Sequence, residues 1–325
     1  MTLHPAVAAV RRAVRADLDE LRDRPVLVAC SGGADSLALL AATVFEGRRR
    51  GWHVVGVTVD HGLQDGSAAH AEHVIAQMGA LGAAETVGVR VHVESSGTGP
   101  EAAAREARYA VLEEVAGSFA APAVLLGHTR DDQAETVLLG LTRGSGTRSL
   151  AGMRRSFDRY RRPLLDVTRA QTEAACRAEG IDFWTDPHNA DPRFLRTRVR
   201  HTVLPMLEAE LGPGVAAALA RTADQARADV EALDALAEAA YADLATPDGL
   251  PLAPLAALLP ALATRVLRQA ACRAGAVDAE LFHVHVTALH RLARGRIDGV
   301  VQLPGHVTAY RDGDHLRFRP TPVAG

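Results

Sequence analysis

Lysine is missing from this chain: all 36 basic side chains among its 325 residues are arginine. That excludes the ordinary phosphate-binding loop Gly-x-x-x-x-Gly-Lys-Ser/Thr, whose lysine reaches the phosphates. Cysteine is scarce as well. Cys30, Cys176 and Cys272 are far apart and odd in number, and no Cys-x-x-Cys occurs. Neither a disulfide framework nor a cysteine-rich metal site is suggested. No apolar run approaches membrane-spanning length, and the N-terminus, with Pro5, Arg11 and Arg12, lacks a secretory pattern. The expectation is a cytoplasmic protein with no membrane partner. A net charge of −3 announces no polyanion partner, so any nucleic-acid reading rests on local arginine clusters. The Ala/Arg/Gly bias itself reads as genome composition. The length suffices for a full core and for two domains.

What is present is organised around Val26-Leu27-Val28-Ala29-Cys30-Ser31-Gly32-Gly33-Ala34-Asp35-Ser36. A buried strand runs up to the serine, bounded by Pro25 and by the glycine pair. A helix follows from Ala34, with Leu37, Leu39, Leu40, Val44 and Phe45 as its apolar face. Strand, glycine turn and helix N-terminus together expose N–H groups that hold an anion. Ser31 and Ser36 add hydroxyl donors, whereas the Asp35 carboxylate opposes phosphate unless a cation lies between.

Taken in order, a helix over residues 4–21 precedes that strand. Further strands are predicted at His53–Val59, Thr86–Val93 and Ala123–Leu126, and helices over 66–82, Glu101–Gly117 and Asp131–Leu141. This alternation predicts a parallel sheet with helices on both faces, and ligands in such sheets sit beyond the strand carboxyl ends. Three polar strings fall there: Ser31–Ser36, Asp60-His61-Gly62-Leu63, and Gly127-His128-Thr129-Arg130-Asp131-Asp132-Gln133-Ala134-Glu135. Asp132 and Glu135, three apart, share a helix face. From Arg143 to Arg169 arginine and glycine replace regular apolar spacing, and a second arginine cluster spans Arg193 to Arg200. Beyond 210 the chain is Ala/Leu-rich and helical, over about 213–244, 254–274 and 279–294. It ends in short strands at Gly299–Leu303, His306–Tyr310 and His315–Arg319, with turns at Gly305 and Asp312-Gly313. The expected domains are 1–209 and 210–325.

The string Ser-Gly-Gly-x-Asp-Ser after a strand resembles the pyrophosphate-binding (PP) loop of the ATP-pyrophosphatase superfamily. Several further motifs stand in order along the chain: Val59–Leu63, Arg105-x-x-Arg108-Tyr109, Gly127-His128-x-x-Asp131-Asp132-Gln133-x-Glu135-Thr136, Leu141-x-Arg143-Gly144-x-Gly146, Arg162-Pro163-Leu164-Leu165, Asp186-Pro187-x-Asn189 and Phe194-x-Arg196-x-Arg198-x-Arg200. With the loop they resemble the tRNA(Ile)-lysidine synthase family over about residues 26–207. The resemblance implies an α/β fold, a parallel-sheet nucleotide-binding domain of the PP-loop ATPase type. A smaller helical domain ending in short antiparallel strands, a C-terminal tRNA-binding accessory domain, would follow it.

The resemblance also implies a carbon–nitrogen ligase that converts ATP to AMP and pyrophosphate. Carbon 2 of the wobble cytidine of tRNA(Ile) with a CAU anticodon would be adenylated, and free L-lysine would then attack it to give lysidine. Ser31, Gly32, Gly33, Ala34, Asp35 and Ser36 would hold ATP, with Asp35 on Mg²⁺, and Asp60 and His61 would lie near the adenosine. Asp35, His128 and Arg200 would act in the chemistry, with Arg196 and Arg198 as alternatives to Arg200. Asp132 and Glu135 would receive lysine. Arg105, Arg108, Arg143, Arg154, Arg155 and Arg196 are candidates for tRNA, with a weaker case for Arg311, Arg317 and Arg319. Thr197 departs from the family, which often has Asn there. A homodimer is plausible in this family. The alternative reading is a PP-loop tRNA thiolase or another adenylating tRNA-modifying enzyme, although a thiolase typically adds cysteine pairs that this chain lacks. A glutamine-dependent amide-forming ligase and a non-catalytic nucleotide sensor are the remaining rivals.

Overall fold

The computed structural model describes residues 3–62, 66–91, 100–144, 146–185 and 191–321. Leu63, the string 186–189 and the side chain of Arg143 lie outside the described residues. The chain divides into two compact units, 1–142 with 152–223, and 143–151 with 224–325.

The first unit is a six-stranded sheet with helices on both faces. Its strands are β1 (Pro25–Ala29), β2 (His53–Asp60), β3 (Glu85–Arg90), β4 (Ala123–Leu126) and the two-residue β5 (Ser156–Phe157) and β6 (Tyr160–Arg161). The spatial order is β3-β2-β1-β4-β6-β5, parallel except for the edge strand β5. β5 and β6 lie inside the arginine-rich run, where two-residue strands leave no readable alternation. The helices are α1 (Pro5–Asp17), α2 (Ala34–Arg50), α3 (Ser67–Ala80), α4 (Pro100–Ser118), α5 (Arg130–Arg143), the short α6 (Thr147–Leu150) of the second unit, and α7 (Arg169–Glu179). α8 (Leu195–Arg198) and α9 (Leu204–Leu211) follow, joined by a π-helical turn at Val199–Val203.

Successive residues of β1 serve opposite faces. Val26 and Val28 join Val7, Val10 and Val14 of α1, Leu37 and Leu40 of α2, and Cys176 of α7 in one core. Leu27 joins Val55, Val57, Val124 and Val111, Leu112 and Val115 of α4 in the other. β1 is therefore buried on both faces, as a central parallel strand must be. The chain runs outward from β1 to β2 and β3, then returns to place β4 on the other side of β1. The switch point lies between the carboxyl ends of β1 and β4, where such sheets bind ligands. The tertiary order thus selects two of the three polar strings as facing neighbours.

The second unit has its own core. α10 (Val215–Leu244) contributes Ala237, and α11 (Leu252–Ala257), α12 (Pro260–Arg273) and α13 (His283–Ala293) contribute Leu255, Leu267 and Leu289. They pack on an antiparallel sheet in the order β7-β10-β9-β8, formed by β7 (Leu250–Pro251), β8 (Val300–Leu303), β9 (Val307–Asp312) and β10 (His315–Pro320). Pairing of Leu303 with Val307 and of Asp312 with His315 sets hairpins at Gly305 and Asp312-Gly313. No single helix among the described residues is long and apolar enough to cross a membrane.

Candidate active site

The loop after β1 is built to receive an anion. Gly33 caps α2, and its carbonyl accepts from the Ser36 and Leu37 N–H groups, each at 3.1 Å. Ser36 Oγ donates to the same carbonyl at 2.9 Å and accepts from the Ser31 N–H at 3.1 Å. Gly32 has φ +81°, and a Cβ there would lie 2.7 Å from Val74 Cγ2. That conformation and that space admit only glycine. Among the described residues the N–H groups of Gly32, Gly33, Ala34 and Asp35 have no hydrogen-bond partner. Four adjacent donors at a helix N-terminus form an anion nest.

The second string joins it through Gly127. A Cβ on Gly127 would lie 3.0 Å from the Ser36 nitrogen and 3.1 Å from the Asp35 carbonyl carbon. The end of β4 therefore rests on the start of α2, and His128 follows at once. Burial pulls His128 down to about 4, so its ring is neutral near pH 7. Arg162 Nε donates to His128 Nδ1 at 3.3 Å, which leaves the ring proton on Nε2 as a donor.

Asp132 and Glu135, on the first turns of α5, are 7% and 0% exposed, so they are not a solvated helix face. They meet three arginines, one each from α7, α8 and the π-helical turn. Glu135 Oε1 accepts from Arg200 Nε at 2.7 Å, and its Oε2 from Arg196 Nε at 2.9 Å. Asp132 Oδ1 accepts from Arg169 Nη2 at 2.9 Å and Arg200 Nη2 at 3.0 Å, while its Oδ2 takes the Thr129 N–H and hydroxyl. Burial alone would push Asp132 up, but Arg169, the Thr129 N–H and Arg196 hold it below the usual carboxylate range.

Each arginine is aimed by its helix. α7 begins with a reciprocal Thr168–Gln171 capping box, which fixes Arg169 at the first helical position, and Asp131 Oδ2 accepts the Arg169 N–H at 2.8 Å. Arg196 and Arg200 are four apart across the α8–π junction, and both reach Glu135. Arg198, between them, is exposed on the other side.

Asp35 stands between the loop and this cluster. Its Oδ1 accepts the Thr172 hydroxyl, and its Oδ2 is 3.7 Å from Arg169 Nε. Burial pushes its carboxyl up to about 6, against the Thr172 hydrogen bond. A carboxylate held that far above its ordinary value fits a site for Mg²⁺, which takes one or two carboxylates together with phosphate oxygens and water. No group of three His, Cys, Asp or Glu among the described residues forms a cage of protein ligands alone.

Asp60, at the end of β2, accepts the Gly62 N–H at 2.9 Å. Burial pushes it up, but that bond, Ser67 and Arg90 outweigh burial and hold it low. Arg108 donates to His61 Nε2 at 3.4 Å, and burial followed by the Arg108 charge lowers His61. Arg105 lies 5.1 Å from the Tyr109 ring centroid. Arg154 is exposed, and Arg155 pairs with Asp166 at 2.7 Å. These six positions are not part of the Asp132–Glu135 cluster.

The sequence reading gave no site role to Arg162, Arg169 or Thr172, which lie within or beside the arginine-rich run 143–169. Arg162 is 5% exposed, and Arg169 links three carboxylates. Their partners are 34 to 137 residues away in the chain, so spacing carries no signal for them.

A family profile described as a PP-loop domain matches residues 7–207, and a second, described as a TilS substrate binding domain, matches 250–317. A tRNA(Ile)-lysidine synthase of Salinispora tropica is 54% identical over 321 residues, covering 97% of this chain and 96% of that one. Another, of Streptomyces coelicolor, is 49% identical over 348 residues, covering 97% and 99%. A U34-tRNA thiolase structure from Methanococcus maripaludis aligns with TM-score 0.56 at 17% identity, covering 68% of this chain and 79% of that chain. At that identity the likeness speaks for the fold alone.

Proposed function

The chain belongs to the tRNA(Ile)-lysidine synthase family, and from that premise we propose that it ligates free L-lysine to carbon 2 of the wobble cytidine of tRNA(Ile) bearing CAU. ATP is split to AMP and pyrophosphate through an adenylated cytidine. The observation that carries the reading is the row of four unpartnered N–H groups, Gly32 to Asp35, facing the Gly127–His128 turn across the switch point.

Attack of the cytidine O2 on the α-phosphorus breaks the bond to pyrophosphate. The loop N–H groups and the Ser31 hydroxyl stabilise the charge on the departing group, while the Ser36 hydroxyl, bonded to the Gly33 carbonyl, fixes that geometry beforehand. Mg²⁺ held at Asp35, when bound, offsets phosphate charge. Neutral His128 donates from Nε2 to oxygen at the reacting centre and is a poor proton acceptor near pH 7, because its ring titrates at about 4. Glu135 orients the Arg200 fork, whose Nη1 group has no partner among the described residues and is the arm left for phosphate or base. Asp60 and His61 border the adenosine.

Lysine brings two ammonium groups. Asp132 and Glu135 are the candidate receivers, but arginines and Thr129 already occupy their oxygens. Arg196, at 44% side-chain exposure, is the partner that an incoming ammonium displaces most readily. The lysine ε-amine then attacks carbon 2, and AMP leaves. Residues 210–325 serve as the tRNA-binding accessory domain, with Arg105, Arg108, Arg143, Arg154 and Arg155 as further phosphate contacts. Assembly as a homodimer and action in the cytoplasm complete the proposal. The thiolase alternative is disfavoured by Cys30 and Cys176, which are buried and pushed up to about 12.

The test supplies labelled lysine, ATP and a CAU tRNA. We expect one lysine joined per AMP and per pyrophosphate released, and Asp132→Asn should raise the KM for lysine far more than that for ATP. AMP release without lysine in the RNA would overturn the assignment of the reaction. Equal KM effects would overturn the lysine site.

A further inference from the structure

An anion nest needs its carbonyl oxygens turned away as much as it needs its N–H groups free, since a carbonyl facing phosphate is repulsive. In this loop all three carbonyls are tied down. That of Gly33 is held by the start of α2. The other two are held from outside the loop. The Ser31 carbonyl lies 3.0 Å from His70 Nε2, and because a carbonyl only accepts, that nitrogen carries the ring proton. The Gly32 carbonyl accepts the Trp184 N–H at 2.9 Å. The two holders also support each other: the His70 and Trp184 rings are 4.1 Å apart between centroids. His70 lies close enough to the loop that a Cβ on Gly32 would sit 2.9 Å from its Cε1.

We propose that His70 on α3 and the Trp184 backbone form a two-point clamp that keeps the Ser31 and Gly32 carbonyls out of the phosphate site. His70 is thereby a positioning residue for ATP. The inference rests on the reading of this loop as the phosphate site. The clamp acts on the loop and not on the lysine or tRNA sites, so its loss is selective. It weakens both ATP and the pyrophosphate product, which occupy the same nest.

The experiment compares the full-length protein with His70→Ala, His70→Gln and His70→Asn in the tRNA- and lysine-dependent AMP-release assay, with pyrophosphate as product inhibitor. Loss of this hydrogen bond should raise the KM for ATP and the inhibition constant for pyrophosphate together, about fivefold to tenfold. The KM for lysine should stay within twofold. Glutamine places an amide N–H near the position of Nε2 and should restore most of the loss, whereas the shorter asparagine should not. If His70→Ala folds poorly, the Gln–Asn contrast carries the test. An unchanged KM for ATP, a shift in lysine KM of equal size, or no difference between Gln and Asn overturns the clamp while the parent enzyme stays active. A parent enzyme that releases no AMP overturns the loop reading and the clamp with it.

Discussion

Asp35 is the residue on which the loop's two requirements conflict. The loop collects donors for an anion, yet it carries a carboxylate that burial pushes up to about 6 from an ordinary 3.8. Below pH 3.8 the carboxyl is protonated whether folded or not. As pH rises, the unfolded chain ionises first, so folding loses stability through the window from about 4 to about 6. One pKa unit is about 1.4 kcal/mol, which makes the total about 3 kcal/mol. Asp35→Asn removes this slope. In metal-free urea titrations, the variant should match the parent near pH 4 and gain over it by about 3 kcal/mol above pH 7. A gap that does not widen with pH refutes the buried-carboxylate account. The same substitution should abolish AMP release, since the proposed ATP site loses its candidate Mg²⁺ ligand.

Among elements, the α8–π–α9 segment does what the sequence pattern half shows. Alternate arginines at 196, 198 and 200 read as three equivalent cations, but helical geometry separates them. Arg196 and Arg200 fall on the side that reaches Glu135, and Arg198 faces away from it. Glu135 is fully buried, so its removal leaves three guanidinium groups short of one buried counter-charge, with Asp132 to share among them. Glu135→Ala should therefore cost about 3–5 kcal/mol. Arg198→Ala should stay within about 0.5 kcal/mol. Urea unfolding followed by tryptophan fluorescence reads both, because Trp52 and Trp184 both lie in the first unit. Equal costs would mean that the cluster is not the element's anchor. Arg200→Lys tests the fork separately: a lysine keeps the charge but cannot reach both carboxylates as Arg200 does.

For the whole molecule, each unit has a core of its own, so the second can carry a function of its own. Its sheet bears Arg311, Arg317 and Arg319. Arg317 is already paired with Asp248 and Asp312, each at 3.2 Å, while Arg319 lies 4.9 Å from the Tyr310 ring centroid. If this unit grips the tRNA backbone, Arg311→Ala and Arg319→Ala should each weaken tRNA and reduce the salt dependence of binding by about one phosphate's worth. Neither should move the KM for ATP. Filter binding across a salt series checks this, and an unchanged slope removes these residues from the RNA contact.

The alternation of strands and helices, the polar strings at strand ends and the loop Ser31–Ser36 were legible because they are local. Period-two and period-3.6 apolar spacing reports burial directly, and a glycine pair between strand and helix reports a turn. The sequence by itself thus determined the α/β class, the strand–glycine turn–helix at Ser31–Ser36 and the candidates Asp35, His128, Asp132, Glu135 and Arg200. It did not determine which groups oppose one another. Only the order β3-β2-β1-β4 brings Gly127 against Ser36. Only the packing of α7 turns Arg169 and Thr172 onto Asp35, 134 and 137 positions away. The Ser31 carbonyl meets His70 for the same reason. Side chains so distant along the chain meet through the sheet order and the helices packed on it, and no spacing in one sequence records that distance.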